Sequence, residues 1–474
     1  MKALALTTLA FALALAGCMT PPRELVREQP IDAATLGLGG ATAPAADATW
    51  WNAYDDAQLD RLMQQALAGN PTLAQALARV RAAQAQAELA GARIGPDVTL
   101  DGQATRQRFS RDDVIPPPYA GGVHTEGRIG LNLSWDLDFW GRQAALVQQA
   151  QSRVLAANLD VAGARLALIG AVLQSYIDLD RQYALADLAQ RAVAQREQLL
   201  DLSRRRVNAG LDTKVELRQA EGAVPQAKVE LRQTQENLER ATHRLAALSA
   251  QGADAYAGIE RPRWQLDAAL PLPQNLPADL LGRRPDILAA RSRVEAATSG
   301  QSAARAAFYP DINLSAFVGT AAIGASNLFK TASVTYGVGP AIHLPLFDGG
   351  RLNAEFRGAT ADIDARIADY NDAVLNAVRD VSDQLTRLAA LGDERGQQQL
   401  ALDAAEAAYQ LATERYRAGL ANQLTVLNAE TQVLAARRQR VELASAQASA
   451  RVALLLAVGG QFKPEAAAPT AAVN

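Results

Sequence analysis

In the stretch RIGLNLSWDLDF, Ile129, Leu131, Leu133, Trp135, Leu137 and Phe139 alternate with Arg128, Gly130, Asn132, Ser134, Asp136 and Asp138. A period of two makes a strand with one apolar and one polar face. Val334, Tyr336, Val338, Ile342 and Leu344 stand opposite Ser333, Thr335, Gly337 and Gly339 in the same way, and residues 97–110 and 311–320 alternate more weakly. The expected strands are 97–110, 127–139, 310–321 and 332–346. Segments of about ten alternating residues can cross a bilayer, apolar side to lipid and polar side to a lumen. A small soluble sheet packed on helices carries the same pattern. Four strands cannot close a barrel, since even eight leave an interior filled by side chains. Open edges are not viable in lipid, so a membrane reading demands several chains.

Elsewhere the period is helical. No proline occurs from Gly141 to Asn208 or from Gly350 to Arg417. Leu352, Phe356, Ile363, Ile367, Tyr370, Val374, Val378, Val381, Leu385 and Leu388 follow one another at steps of mostly three and four, as in a coiled-coil seam. Long helices are expected over 140–209 and 349–418, each roughly 100 Å at 1.5 Å per residue, with return helices over 213–250 and 422–458.

The two halves are copies. RVNAGL (Arg206–Leu211) and RYRAGL (Arg415–Leu420) lie 209 residues apart, and so do Ala220–Glu221 and Ala429–Glu430. Upstream the shift is 214, matching PDVTL (Pro96–Leu100) to PDINL (Pro310–Leu314). The difference falls in the loop RDDVIPPPYAGG of the first half, where insertions are tolerated. Gly210 and Gly419 sit where the long helices should end in left-handed caps, with Asp212 and Asn422 as N-caps of the returning helices. Pro225 stands opposite Leu434 and is expected to bend the first return helix. The first repeat is placed at 51–281, including an equatorial segment at 251–281, the second at 282–463, and a disordered tail at 464–474.

Alanine supplies much of the hydrophobic 49%, which favours helix over a bulky core. The net charge of −3 offers no basic surface for nucleic acid. Lys2, an apolar run and small residues describe a secretory signal over 1–17. Leu15-Ala16-Gly17-Cys18 resembles the bacterial lipobox, which implies an N-acylated, S-diacylglycerol-modified Cys18, with 18–50 an extended lipidated segment. Cys18 is the only cysteine, so its acylation leaves no thiol for a disulfide or a metal, and Met19 favours delivery to the outer membrane.

The lipobox, WWNAYDDAQLDRLMQQALAGNPTL (Trp50–Leu73), GRRPDI (Gly282–Ile287), FYPDINL (Phe308–Leu314), LPLFDGGR (Leu344–Arg351) and RYRAGLANQLTVLNAE (Arg415–Glu430) together resemble the TolC-like outer-membrane efflux proteins, most closely their lipidated NodT/OprM branch. The resemblance implies an internally duplicated α+β membrane protein. Three copies would form a 12-strand barrel and a 12-helix periplasmic tunnel. It implies a passive exit duct for small toxic compounds, coupled through a periplasmic adaptor to an inner-membrane transporter of the RND type. The family's adaptor-binding groove falls on Arg206, Gly210, Leu211, Arg415, Tyr416, Gly419 and Leu420. Its periplasmic gate falls on Glu216, Thr425 and Asn428. The acidic rings some relatives carry at the latter two positions are missing here. Asp212, Lys214 and Glu216 suggest a salt-linked latch instead, with Asn422 at the matching turn of the second copy.

Two alternatives stay open, and an enzyme is not among them. A duct for type I polypeptide secretion has the same architecture. A non-conducting coiled-coil lipoprotein explains the lipid and the helices but not the duplicated strands. An enzyme needs a constellation, and the histidines His124, His243 and His343 are scattered with no HExxH, P-loop or nucleophile elbow. No cofactor other than the covalent lipid, and no metal, is expected.

Overall fold

A computed structural model describes residues 25–38, 49–112, 114–264, 270, 272–277 and 279–460. The leader, Cys18 and the tail 464–474 lie outside the described residues. The chain runs α1 (Ala57–Gly69), α2 (Pro71–Ala92), β1 (Asp97–Arg108), β2 (Val123–Asp136), α3 (Arg142–Asn208), α4 (Lys214–Leu248), a four-residue helical turn at Leu280–Arg283, α5 (Pro285–Ala306), β3 (Asp311–Ile323), β4 (Val334–His343), α6 (Arg351–Arg417) and α7 (Gln423–Ala457). The duplication is metrical: α3 and α6 each hold 67 residues, α4 and α7 each 35, α2 and α5 each 22. Helix α4 continues through Pro225.

The four strands form one antiparallel sheet in the order β1-β2-β3-β4. Register brings Leu100, Leu131, Val318 and Tyr336 into one row across all four strands, and Val98, Leu133, Ala316 and Val338 into another. Between them run Thr99, Asn132, Phe317 and Gly337 on the opposite face. The apolar face is uncovered in the single chain: Leu100 is 70% exposed, Val338 77% and Tyr336 81%. On the polar face Asn132 donates to Asp101 at 2.6 Å, and Asn313 donates to Ser134 and Asp136. Gly319 faces Gly130 so closely that a Cβ on it would lie 2.4 Å from the Ile129 carbonyl oxygen. Side chains there would force the strands apart. Strand β2 starts at Val123 rather than 127, because the pairing of Val123 with Arg108 lengthens the hairpin, and it ends at Asp136. Phe139 therefore lies beyond the strand, 65% exposed.

Each strand pair hands over to a helix by a carboxylate cap. Asp138 accepts from the Ala144 N–H at 2.8 Å; Asp348 accepts from Gly350 at 2.9 Å and Leu352 at 2.8 Å. These bonds satisfy amides that a helix start leaves orphaned.

Two compact units each draw on both repeats. One takes residues 25–30 with Arg79–Asn158 and Ala289–Asn371; the other takes Ile31–Ala78, Leu159–Leu288 and residues 372–460, as far as the described residues go. The consecutive repeats at 51–281 and 282–463 are thus not the compact units, since each unit draws matching segments from both copies. In the first unit Phe308 meets Phe356 edge to face beside Leu352. In the second, Trp50, Trp51 and Tyr54 pack on Leu173, Tyr176 and Ile177 of α3. Buried Asp56 caps α1 through Gln58 and also accepts from the Tyr176 hydroxyl at 2.7 Å and the Arg263 amide at 2.8 Å. GRRPDI is structural too: Pro285 opens α5, and Arg284 pairs with Asp286 at 2.7 Å and Asp380 at 3.3 Å.

Candidate functional site: the hairpin tips

Both long helices end in the same turn. Gly210 has φ +72° and Gly419 φ +77°, left-handed values that glycine adopts without Cβ strain. Leu211 N–H bonds the Arg206 carbonyl at 2.9 Å and Leu420 N–H the Arg415 carbonyl at 2.8 Å, which closes two Schellman caps. The return helices restart differently. Asn422 caps α7, its side chain accepting from Thr425 N–H at 3.1 Å. For α4 the cap is Thr213 and not Asp212, with Glu216 reaching back to the Thr213 N–H in a capping box. Hydrogen bonds from Thr213 hold the Glu216 carboxyl below its usual range. Thr213→Ala should cost about 1 kcal/mol. Amide hydrogen exchange in the first turn of α4 should accelerate roughly fivefold, and an unchanged rate would show the cap to be idle.

Freed from capping, Asp212 does something the sequence did not announce. The Arg206 guanidinium grips its carboxylate from two nitrogens, at 2.9 and 3.2 Å. The hydroxyl of Tyr416, on the second hairpin, donates to the same carboxylate at 2.6 Å. Arg206 also donates to the Tyr416 carbonyl at 3.1 Å and lies over the Tyr416 ring, 4.6 Å from its centroid. Tyr416 is fully buried, among Ala412 and Val426, with Leu199 and Leu202 of α3 against it and Ser203 Oγ 3.4 Å from its hydroxyl. Burial alone would raise the Asp212 carboxyl; Arg206 and Tyr416 outweigh it and hold that carboxyl below the ordinary range. Burial and the neighbouring Asp212 push the Tyr416 phenol up. One cluster therefore ties the first hairpin to the second.

This corrects two expectations. Asp212, Lys214 and Glu216 form no latch among themselves: Asp212 turns to Arg206, Glu216 to Thr213, and Lys214 is exposed without an ion pair among the described residues. Charges one helical turn apart were outcompeted by a partner across the preceding turn. Arg206 and Tyr416 offer little surface to an adaptor, because their side chains face inward. Leu211, Leu420 and Arg415 remain exposed, joined by Val215 and Leu424, and so do Thr425 and Asn428.

Exposed lipid-length strands and two helical hairpins locked at their tips make the chain a subunit of a membrane conduit. Residues 62–251 and 276–460 match the family model described as outer membrane efflux protein. The chain belongs to that family and is an outer-membrane efflux channel component reaching into the periplasm. It is 37% identical over 371 residues to the fusaric acid resistance protein FusA of Burkholderia cepacia, covering 76% of this chain and 70% of that one. It is 33% identical over 470 residues to the multidrug resistance outer membrane protein MdtP of Shigella flexneri, covering 96% and 95%. Among solved structures, the outer membrane protein VceC from Vibrio cholerae superposes with a TM-score of 0.83 at 37% identity, covering 88% of this chain and all of that one. The outer-membrane channel OprN gives 0.82 at 27% identity, covering 94% and 99%.

Proposed function

We propose that three copies of this chain close one 12-strand barrel continuous with a helical tunnel. In this reading the tunnel receives small toxic compounds from an inner-membrane transporter through a periplasmic adaptor docked on the exposed tips. The observation that carries it is the uncovered apolar face running across all four strands of a sheet whose outer edges find no partner among the described residues. Unpaired strand edges require neighbours in lipid. The wall has no chemistry to perform: it passes what the pump delivers, and catalysis is assigned to no residue. Resistance and multidrug functions named for FusA and MdtP favour small solutes over polypeptides as cargo.

Within this conduit, Arg206, Asp212 and Tyr416 hold the periplasmic end shut, and adaptor contact with Leu211 and Leu420 separates the hairpins. Acylated Cys18 holds the chain to the same membrane; Cys18→Ser should abolish incorporation of labelled palmitate while leaving the barrel able to form. Detergent-purified protein should have the mass of three chains and conduct ions in planar bilayers. Its deletion should sensitise cells to a panel of small toxicants. A soluble, non-conducting monomer would sink the proposal, and unimpaired solute resistance with lost polypeptide export would redirect it to secretion.

A further inference from the structure

From its first residue, α7 packs through Gln423, Val426, Glu430 and Val433, spaced three, four and three apart. All four are buried, at 0%, 1%, 3% and 2% exposure. Such a seam normally takes apolar side chains, and a polar one there trades stability for something else. Two of these four are polar. Neither amide atom of Gln423 has a hydrogen-bond partner among the described residues, and the same holds for Oε1 of Glu430. The nearest cation to Glu430 is Arg196 of α3, its Nε at 3.7 Å, beyond hydrogen-bond reach. Arg196 directs another nitrogen to the Ala223 carbonyl of α4 instead, at 3.3 Å. Tyr409 of α6 also feels the charge of Glu430.

The first copy shows what these positions look like without this burden. Shifted by 209, Gln423 corresponds to Lys214 and Glu430 to Glu221. Lys214 is exposed, and Glu221 is half-buried and satisfied by Arg218 at 2.7 Å. Only in the second hairpin does the polar pattern enter the packed interior.

A buried donor or acceptor left unpaired costs its desolvation. A buried ion pair, even a well-made one, is often no better than apolar residues of the same shape. We propose that Gln423 and Glu430 preload the gate: they keep the joined tip at higher free energy than an apolar seam would, so that docking of a partner suffices to part the hairpins. The Arg206–Asp212–Tyr416 cluster is the catch, and the α7 seam is the spring it restrains. This inference rests on the tips being the gate.

The test uses the full-length assembled protein. Gln423→Leu, and separately the double change Arg196→Met with Glu430→Leu, should stabilise the closed tip. Hydrogen exchange in the first turns of α7 should slow about tenfold or more, the open fraction in planar bilayers should fall by a similar factor, and adaptor-dependent efflux should drop. Gln423→Met, closer in shape, serves if leucine disturbs assembly. Glu430→Leu alone strands Arg196 and should speed exchange. Unchanged or faster exchange in Gln423→Leu, Gln423→Met and the double variant overturns the preload, as does slower exchange with undiminished opening. If Asp212→Ala passes no more current than the parent, the gate reading has failed; the exchange rates then still report whether the seam is strained.

Discussion

Asp212→Ala raises the resting conductance of the channel by one to two orders of magnitude. The substitution leaves the Arg206 guanidinium and the Tyr416 hydroxyl facing each other with no acceptor between them. Removing one member of a buried ion pair costs about 3–5 kcal/mol. Side-chain exposures of 11% and 9% for Arg206 and Asp212 put this pair near the rim, so roughly 2–3 kcal/mol is appropriate. At 1.4 kcal/mol per decade that shifts the open-to-closed ratio about 30- to 150-fold. Lys214→Ala combined with Glu216→Ala leaves conductance close to that of the parent, because neither side chain joins the two hairpins. Equal conductance of parent and Asp212→Ala would remove this cluster from the gate. The pH dependence follows from the direction of the Asp212 shift. Its carboxyl is depressed in the closed tip, so the stabilisation is fully present above the ordinary aspartate range and is lost as pH falls through the lowered value. Conductance should be flat from neutral pH down to about pH 5 and climb only below about pH 4.

How much of this was visible in the chain depends on the range of the interaction that decides each feature. Strands and long helices rest on local periodicity, and the repeat doubled every signal: the helices 142–208 and 351–417 follow the proline-free runs almost residue for residue. The capping glycines were legible because φ is a property of one residue. The catch was not, because it joins Asp212 to Tyr416 across 204 residues. A signal did exist. Subtracting one copy from the other leaves Tyr416 against Val207 and Asp212 against Ala421. Positions where the copies disagree are where one hairpin must treat its neighbour as different from itself. The same subtraction singles out Gln423, opposite Lys214. The agreement of Arg206 with Arg415 misled in the other direction: the shared arginine looked like a shared surface, yet one is buried in the catch and the other exposed.

Leu131→Arg abolishes assembly in the outer membrane, while Asn132→Arg, its immediate neighbour, is tolerated. Leu131 lies mid-strand in the row Leu100–Leu131–Val318–Tyr336, the face that is apolar across all four strands. If that face meets lipid, an arginine near the bilayer midplane costs about 2–4 kcal/mol per chain, or roughly 6–12 kcal/mol for the three copies proposed above. A sum of that size is comparable with the whole stability of an ordinary domain. Asn132 points to the opposite face, where its amide already donates to Asp101 at 2.6 Å, and an arginine there keeps a carboxylate partner and an aqueous lumen. The readout is the band of the assembled oligomer in unheated outer-membrane fractions, together with conductance of what can be purified. Wild-type assembly of Leu131→Arg, or failure of Asn132→Arg alone, would mean that the faces are assigned the wrong way round. The barrel would go with them, since only an apolar exterior forces the two open edges of the sheet to seek other copies.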